Sequence, residues 1–314
     1  MELPPTIPTG LAAARFTAGP AGHGALAAPA ISVIVPVHRQ WDLVPLLLEA
    51  LGRQTVRPAA FETIIVNNDA PEAAPPLALP PGARIVPCTA AGSYPARNAG
   101  AREARGDWLA FTDADCLPDP RWLAALLDAA AEARRGPQPL LAGPVRVTGP
   151  ADPGAFAIYD MVRGIPQARY VSRGYAATAN LAVPAEVFRA VGGFDPARRS
   201  GGDAEFCRRA GRAGHRMVLV PAATVAHPSR TRWDELAVKA RRIKGGQIAA
   251  GPLRWRIAWT LRTLSPPVRD TRAYLGSGHP WRHRLIAVAV RFRLWGVELA
   301  EMVRLLAGGT PERR

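Results

Sequence analysis

Two carboxylates, Asp113 and Asp115, stand one residue apart directly after the apolar run Trp108-Leu109-Ala110-Phe111-Thr112. In an extended strand the side chains at i and i+2 leave the same face, so the pair can address one point in space. Two anions that close repel unless a cation or an array of donors lies between them. Hard oxygen ligands suit Mg²⁺ or Mn²⁺, ions that keep several waters and bridge to substrate phosphates. The plain alternative is two solvated loop carboxylates, because a short D-x-D recurs by chance. The next segment, Asp119-Pro120-Arg121-Trp122, has the form of a helix start, with Asp119 as N-cap and Pro120 as first helical residue. That gives Asp119 a structural task and leaves Asp113 and Asp115 for chemistry. A further carboxylate, Asp203, follows Gly201-Gly202 and precedes a helical run over 204–213, where it serves as a helix cap or as a reactive group. His227 ends the strand-like Val225-Ala226-His227; a lone histidine there is ordinarily packed or solvated.

The elements that must position these groups follow from periodicity. Residues 31–36, 61–66, 83–86 and 108–112 are short β-rich runs without alternation, as expected of strands buried on both faces. Helical spacing over 44–51 and 95–105 separates them, which predicts an α/β fold with a mainly parallel, doubly wound sheet. In such sheets ligands bind beyond the carboxyl ends of the strands. Those ends carry Pro36-Val37-His38, Asn67-Asn68-Asp69 and Asp113-Ala114-Asp115, so these clusters are expected to line one crevice. No G-x-G-x-x-G or G-K-[ST] loop occurs, and dinucleotide and P-loop readings lose support. Further strands are expected at 142–147, 180–183, 217–220 and 225–227, with a helix at 185–190.

Length and charge bound the rest. The 314 residues suffice for one large α/β domain with an appendage. The formal net charge is +15, and from Pro228 onward there are 18 Lys and Arg against 6 Asp and Glu. A basic appendage argues for an anionic partner such as membrane headgroups; no helix-turn-helix or RNA-binding signature accompanies it, so nucleic acid is not expected. Cys88, Cys116 and Cys207 show no zinc or disulfide spacing, which favours a reducing, cytoplasmic compartment. The expected organisation is a disordered leader over 1–29 without signal-peptide character, a catalytic domain over 30–250 and a basic amphipathic helical extension over 251–314. In that extension a helix over 284–307 would place Val288, Phe292, Trp295, Leu299, Met302 and Leu306 on one face, with Arg293, Glu301 and Arg304 opposite. It carries too many charges to span a bilayer. It suits the inner membrane surface, a twin subunit or the catalytic domain itself.

Taken in order, several motifs resemble family 2 glycosyltransferases over about residues 31–246. Ser32-Val33-Ile34-Val35-Pro36-Val37 is similar to the family's first strand, and Ser93-Tyr94-Pro95-Ala96-Arg97-Asn98-Ala99-Gly100 to its A-R-N-x-G helix. Phe111-Thr112-Asp113-Ala114-Asp115, Thr178-Ala179-Asn180-Leu181-Ala182 and Gly192-Gly193-Phe194-Asp195 follow in register. Gly202-Asp203-Ala204-Glu205-Phe206 stands where the family has E-D-x-[DE]-[FL], then come the strand-end His227 and the basic Arg241-Arg242-Ile243-Lys244-Gly245-Gly246. The resemblance implies the A-type glycosyltransferase fold, a nucleotide-diphosphate sugar donor and inverting transfer to the hydroxyl of a glycan or lipid-linked acceptor. It further implies Asp203 as general base, Asp115 and His227 as ligands of Mg²⁺ or Mn²⁺, and Asp113 at the ribose or a metal-bound water. Arg97 and Asn67 would address the base, with Pro36, Val37 and His38 around it, and Arg242 the diphosphate, unless that basic run is a solvated helix face.

Two departures stand out. Asn67-Asn68 replaces the Asp-Asp or Asp-Asn expected after the second strand; an amide both donates and accepts, so base contact survives while uridine preference weakens. Gly202 replaces the usual Glu before Asp203. Two other classes compete: a sugar nucleotidyltransferase and a non-catalytic nucleotide-sugar binder or membrane adaptor. The first wants a Gly-rich basic loop after strand one, which His38-Arg39-Gln40-Trp41 does not supply; the second needs no base.

Overall fold

A computed structural model describes residues 28–133, 136–198, 200–248 and 252–311, so all but the last two residues of the expected leader lie outside the described residues. The first half comprises β1 (Ile31–Val37), α1 (Val44–Gly52), β2 (Phe61–Asn67), β3 (Ala83–Pro87), α2 (Ser93–Glu103) and β4 (Trp108–Phe111). After the two-residue β5 (Leu117–Pro118) come α3 (Trp122–Glu132), β6 (Leu140–Ala142), β7 (Val145–Thr148), α4 (Ala155–Arg163) and α5 (Gln167–Val171). Next are β8 (Leu181–Pro184), α6 (Ala185–Val191), α7 (Gly202–Arg212), β9 (Met217–Leu219) and β10 (Val225–Pro228). Then follow α8 (Trp233–Ile248), α9 (Leu253–Leu264), α10 (Val268–Leu275) and α11 (Trp281–Leu306).

The main sheet has the order β3-β2-β1-β4-β8-β6-β9. Strands β1 to β4 pair in parallel and β6 pairs in parallel with β9, while β8 runs antiparallel between β4 and β6. This is the mixed, mostly parallel α/β architecture expected. Val33, Ile34 and Val35 are buried on both sides of the sheet, which is why β1 shows no polar alternation. Helix α2 packs closely on it because residue 100 is glycine: a Cβ there would stand 2.6 Å from Ile34 Cγ2.

A second, three-stranded sheet has the order β5-β10-β7. The strand expected over 142–147 is therefore two. Gly143-Pro144 breaks it, leaving β6 in the main sheet and β7 beside β10. Asn180 fastens this junction: its amide donates to the carbonyls of Pro144 (3.0 Å) and Ala223 (2.7 Å) and accepts from Trp122 Nε1 (2.9 Å).

Two expectations are corrected. Asp119 is not a side-chain cap, because α3 begins later, after Arg121, with no side-chain cap. The backbone of Asp119 instead accepts from Trp122 N (2.8 Å) and Gln54 Nε2 (2.9 Å), turning the chain before the helix. In α11 the buried face is Ala287, Val290, Leu294 and Met302, packed on α4 and α8, while Phe292 and Leu306 are exposed. Glu301, expected outside, is buried against Arg304. Among the described residues no helix is long and apolar enough to cross a membrane.

Candidate active site

The acidic pair lies just beyond β4. There the chain leaves the strand and turns, with Cys116 N–H donating to the Asp113 carbonyl at 3.0 Å. A turn, and not the pleat of a strand, brings Asp113 and Asp115 together; one carboxylate oxygen of each and Cys116 Sγ lie within 4.8 Å of one another. Burial foremost, then Asp113 and Asp115, pushes the Cys116 thiol well above its usual pKa. It stays protonated, a weak donor 3.8 Å from Asp115 Oδ1.

The small sheet supplies the histidine. Ala226 of β10 pairs opposite Leu117 of β5, which carries His227 to the acidic turn. His227 Nδ1 is 2.7 Å from the Pro228 carbonyl, and Nε2 is 3.6 Å from Asp115 Oδ2. A carbonyl only accepts, so in the neutral ring Nδ1 holds the proton and Nε2 turns a lone pair toward a carboxylate. Two acceptors face to face beside a second carboxylate, with the other ring nitrogen anchored, make a donor set that fits a divalent cation.

Helix α2 joins this corner to Asp203 through two side chains one turn apart. Arg97, itself buried, forms an ion pair with Asp113. Tyr94 reaches α7, where its Oη accepts the Gly202 N–H at 2.8 Å. Asn98, next after Arg97 in sequence, exchanges two hydrogen bonds with the Phe194 backbone, at 2.7 and 2.9 Å. Asp203 is the second residue of α7, after the N-cap Gly201, so the capping role considered for it is corrected. Its Oδ1 accepts Ala204 N–H at 2.9 Å. Burial raises its pKa, with Asp113 adding to the rise while the Ala204 N–H and Arg97 oppose it. Asp203 therefore feels both members of the Arg97–Asp113 pair.

The ends of β1 and β2 are tied mostly to each other. The Asn67 amide donates to Ala70 O (3.2 Å) and Pro71 O (3.4 Å) and accepts Asp69 N–H (2.9 Å), so its polar atoms serve its own loop. The Val37 carbonyl, next to Pro36, accepts Asn68 N–H at 2.9 Å. His38 Nδ1 lies 2.7 Å from Asp69 Oδ1, and Asp69 Oδ2 accepts from Arg39 N (2.7 Å) and Trp41 Nε1 (3.1 Å). Arg242 sits on α8, where its charge acts on Lys239.

Residues 32–139 match the family model described as glycosyl transferase family 2. The chain is 30% identical over 227 residues to the glycosyltransferase AglE of Haloferax volcanii, covering 70% of this chain and 73% of that protein. The chain belongs to glycosyl transferase family 2. A second relative, the pre-mycofactocin glycosyltransferase of Mycobacterium tuberculosis, is 32% identical over 158 residues, 48% of this chain and 33% of its own length. The fold is shared with a mannosyltransferase of Pyrobaculum calidifontis, solved in complex with GDP-Man and Mn²⁺, at a TM-score of 0.54 and 16% identity over 90% of this chain and 87% of that one.

Three residues of this family 2 glycosyltransferase escaped the sequence expectation: Tyr94, Cys116 and Asp69. Tyr94 and Cys116 adjoin motif residues, but no spacing rule marks a tyrosine that caps another helix or a thiol aimed at its neighbour. Asp69 was expected only to line the crevice together with Asn67 and Asn68; the structure makes it the carboxylate that ties β1's exit loop to β2.

Proposed function

We propose that this glycosyltransferase takes a nucleotide-diphosphate sugar, uses Mg²⁺ or Mn²⁺, and transfers the sugar with inversion to an acceptor hydroxyl. The observation that carries the proposal is the position of His227, whose Nε2 lies 3.6 Å from Asp115 Oδ2 while its Nδ1 is held 2.7 Å from the Pro228 carbonyl, at the corner where Asp113 and Asp115 converge. Asp115 and His227 would hold the ion, with Asp113 alongside. When bound, the ion neutralises charge developing on the leaving diphosphate.

The chain's own residues supply the rest. Arg97 holds Asp113 in place at the donor side. Asp203, within electrostatic reach of both, takes the proton of the acceptor hydroxyl as its oxygen bonds to the anomeric carbon. The bond from that carbon to the diphosphate oxygen breaks on the opposite face, and the electron pair leaves with the diphosphate. One displacement inverts the centre and needs no carboxylate nucleophile. Burial favours this role, since a carboxylate with raised proton affinity is a stronger base.

A calorimetric screen of UDP-, GDP- and dTDP-sugars, with and without Mn²⁺, tests the donor side. One nucleotide class should bind strongly only with the ion, and Asp115→Asn should erase that difference while the fold persists. Metal-independent binding, or unchanged metal dependence in the variant, would sink the assignment.

A further inference from the structure

Outside the acidic corner, α4, α5, α8, α9, α10 and α11 line an open cavity of about 700 Å³ that touches none of Asp113, Asp115, Asp203 or His227. Eight Lys and Arg line it against three carboxylates, Asp160, Asp270 and Glu298. Two of the carboxylates are committed: Arg291 lies 2.7 Å from Asp270 and 3.3 Å from Glu298, and Lys244 lies 3.6 Å from Glu298. The third, Asp160, serves Arg230 (3.0 Å), which is outside the lining, and Arg163 (3.8 Å). Lys239 shares this corner but has no salt bridge or hydrogen bond among the described residues. Burial first, then the charges of Arg163 and Arg230, hold its pKa well below the usual lysine value, with Asp160 opposing. The lining thus holds more Lys and Arg than carboxylates, most of them half-buried or exposed, an excess of positive charge that an anion relieves. At the rim Arg169, Arg173, Arg262 and Arg269 are exposed and have no carboxylate partner among the described residues.

Position and surface narrow the anion. Tyr170 lines the cavity and stacks on Tyr175 with ring centroids 4.9 Å apart, and Arg208 of α7 lies 5.1 Å over the Tyr175 ring, so the cavity wall is joined to the helix that carries Asp203. Helix α9 turns Trp259, Arg262 and Thr263 to the cavity. Its other face shows Leu253, Ile257, Leu261 and Leu264 in 3- and 4-residue steps, each 51–66% exposed. A cationic pocket walled by a helix with an apolar outer stripe matches a ligand with an anionic head and an apolar chain.

We infer that this cavity is an acceptor subsite: Lys239, Arg163 and the rim arginines hold the phosphate or diphosphate of a lipid acceptor, whose chain lies along the apolar face of α9. The inference rests on the reading of Asp203 as the group facing the acceptor.

The test uses the full chain with decyl phosphate as probe, followed by calorimetry and by the fluorescence of Trp259 and Trp295, both in the cavity lining. Decyl phosphate should bind at least about tenfold more tightly than inorganic phosphate, the difference being the chain. Lys239→Gln should weaken decyl phosphate about tenfold or more, whereas Lys239→Arg should stay within a few-fold. Lys239→Gln removes a charge repelled by its neighbours, so its melting temperature should not fall. Ile257→Ser with Leu261→Ser should weaken decyl phosphate and leave inorganic phosphate unchanged. Absent binding, or binding indifferent to Lys239→Gln, overturns the subsite; equal affinity for inorganic and decyl phosphate overturns the lipid. Binding of a nucleoside diphosphate with Mn²⁺, measured alongside, reports on the donor reading separately: a protein that binds it but not decyl phosphate refutes only the subsite.

Discussion

Tyr94 stands in the space a side chain at residue 202 would need. Its Oη accepts the Gly202 N–H at 2.8 Å, and a Cβ on Gly202 would lie 2.7 Å from the ring carbons Cε2 and Cζ. The residue that departs from the family pattern is thus matched by an aromatic ring from α2, which also satisfies a free N–H at the start of α7. Gly202→Ala should cost roughly 1–3 kcal/mol by overpacking, and Tyr94→Phe about 1 kcal/mol through the lost hydrogen bond. Both should lower kcat more than donor affinity, because the next residue is Asp203. Denaturant melts with steady-state kinetics decide this; a Gly202→Ala enzyme of unchanged stability and kcat would refute the packing relation.

The resemblance that pointed to the acidic pair rested on motif order, and the structure shows what that order is made of. In Ala96-Arg97-Asn98-Ala99-Gly100, Arg97 pairs Asp113, Asn98 holds the Phe194 backbone and Gly100 admits Ile34. Buried strands such as β1 were legible because unbroken β-branched runs have few other uses. The cap at Asp119 was misread because an Asp-Pro pair fits a turn as well as a helix start. The buried face of α11 was misjudged because a helix with apolar residues on several sides takes its orientation from α4 and α8, which its own periodicity does not contain. Tyr94 and Lys239 act across long sequence separations, and one chain read alone gives no sign of that.

Glu62 offers a stability test away from the site. It is buried at the foot of β2, accepts from Ser32 (2.7 Å) and from Arg105 N (2.7 Å), and forms an ion pair with Arg84. Although burial works to raise its pKa, these partners hold it down to about 2 from an ordinary 4.5. A lowered carboxylate stabilises the fold above about pH 4.5 and loses that contribution as pH falls toward 2. Glu62→Gln should cost roughly 2–3 kcal/mol at neutral pH and flatten the stability profile below pH 4.5. Parallel acid profiles for the two proteins would contradict the assignment.

Truncation before Arg282 tests where α11 belongs. That helix buries Ala287, Val290, Leu294 and Met302 against α4 and α8. Its removal should lower the melting temperature and make the protein aggregate, as an exposed apolar face does. A truncated protein that stays soluble and melts unchanged would mean that α11 is dispensable to the fold.

The central claim is that Asp203 takes the acceptor's proton, and Asp203→Asn measures it directly. Asparagine keeps the shape and removes the base. Burial raises this carboxylate's pKa, so its contribution to stability is present at low pH and lost as pH rises through the folded-state value. The variant should therefore melt no lower than the parent at neutral pH. Donor binding with Mn²⁺ should stay within a few-fold while turnover falls by about 10²–10⁴. A folded, donor-binding Asp203→Asn protein that still transfers sugar at the parent rate would contradict the account.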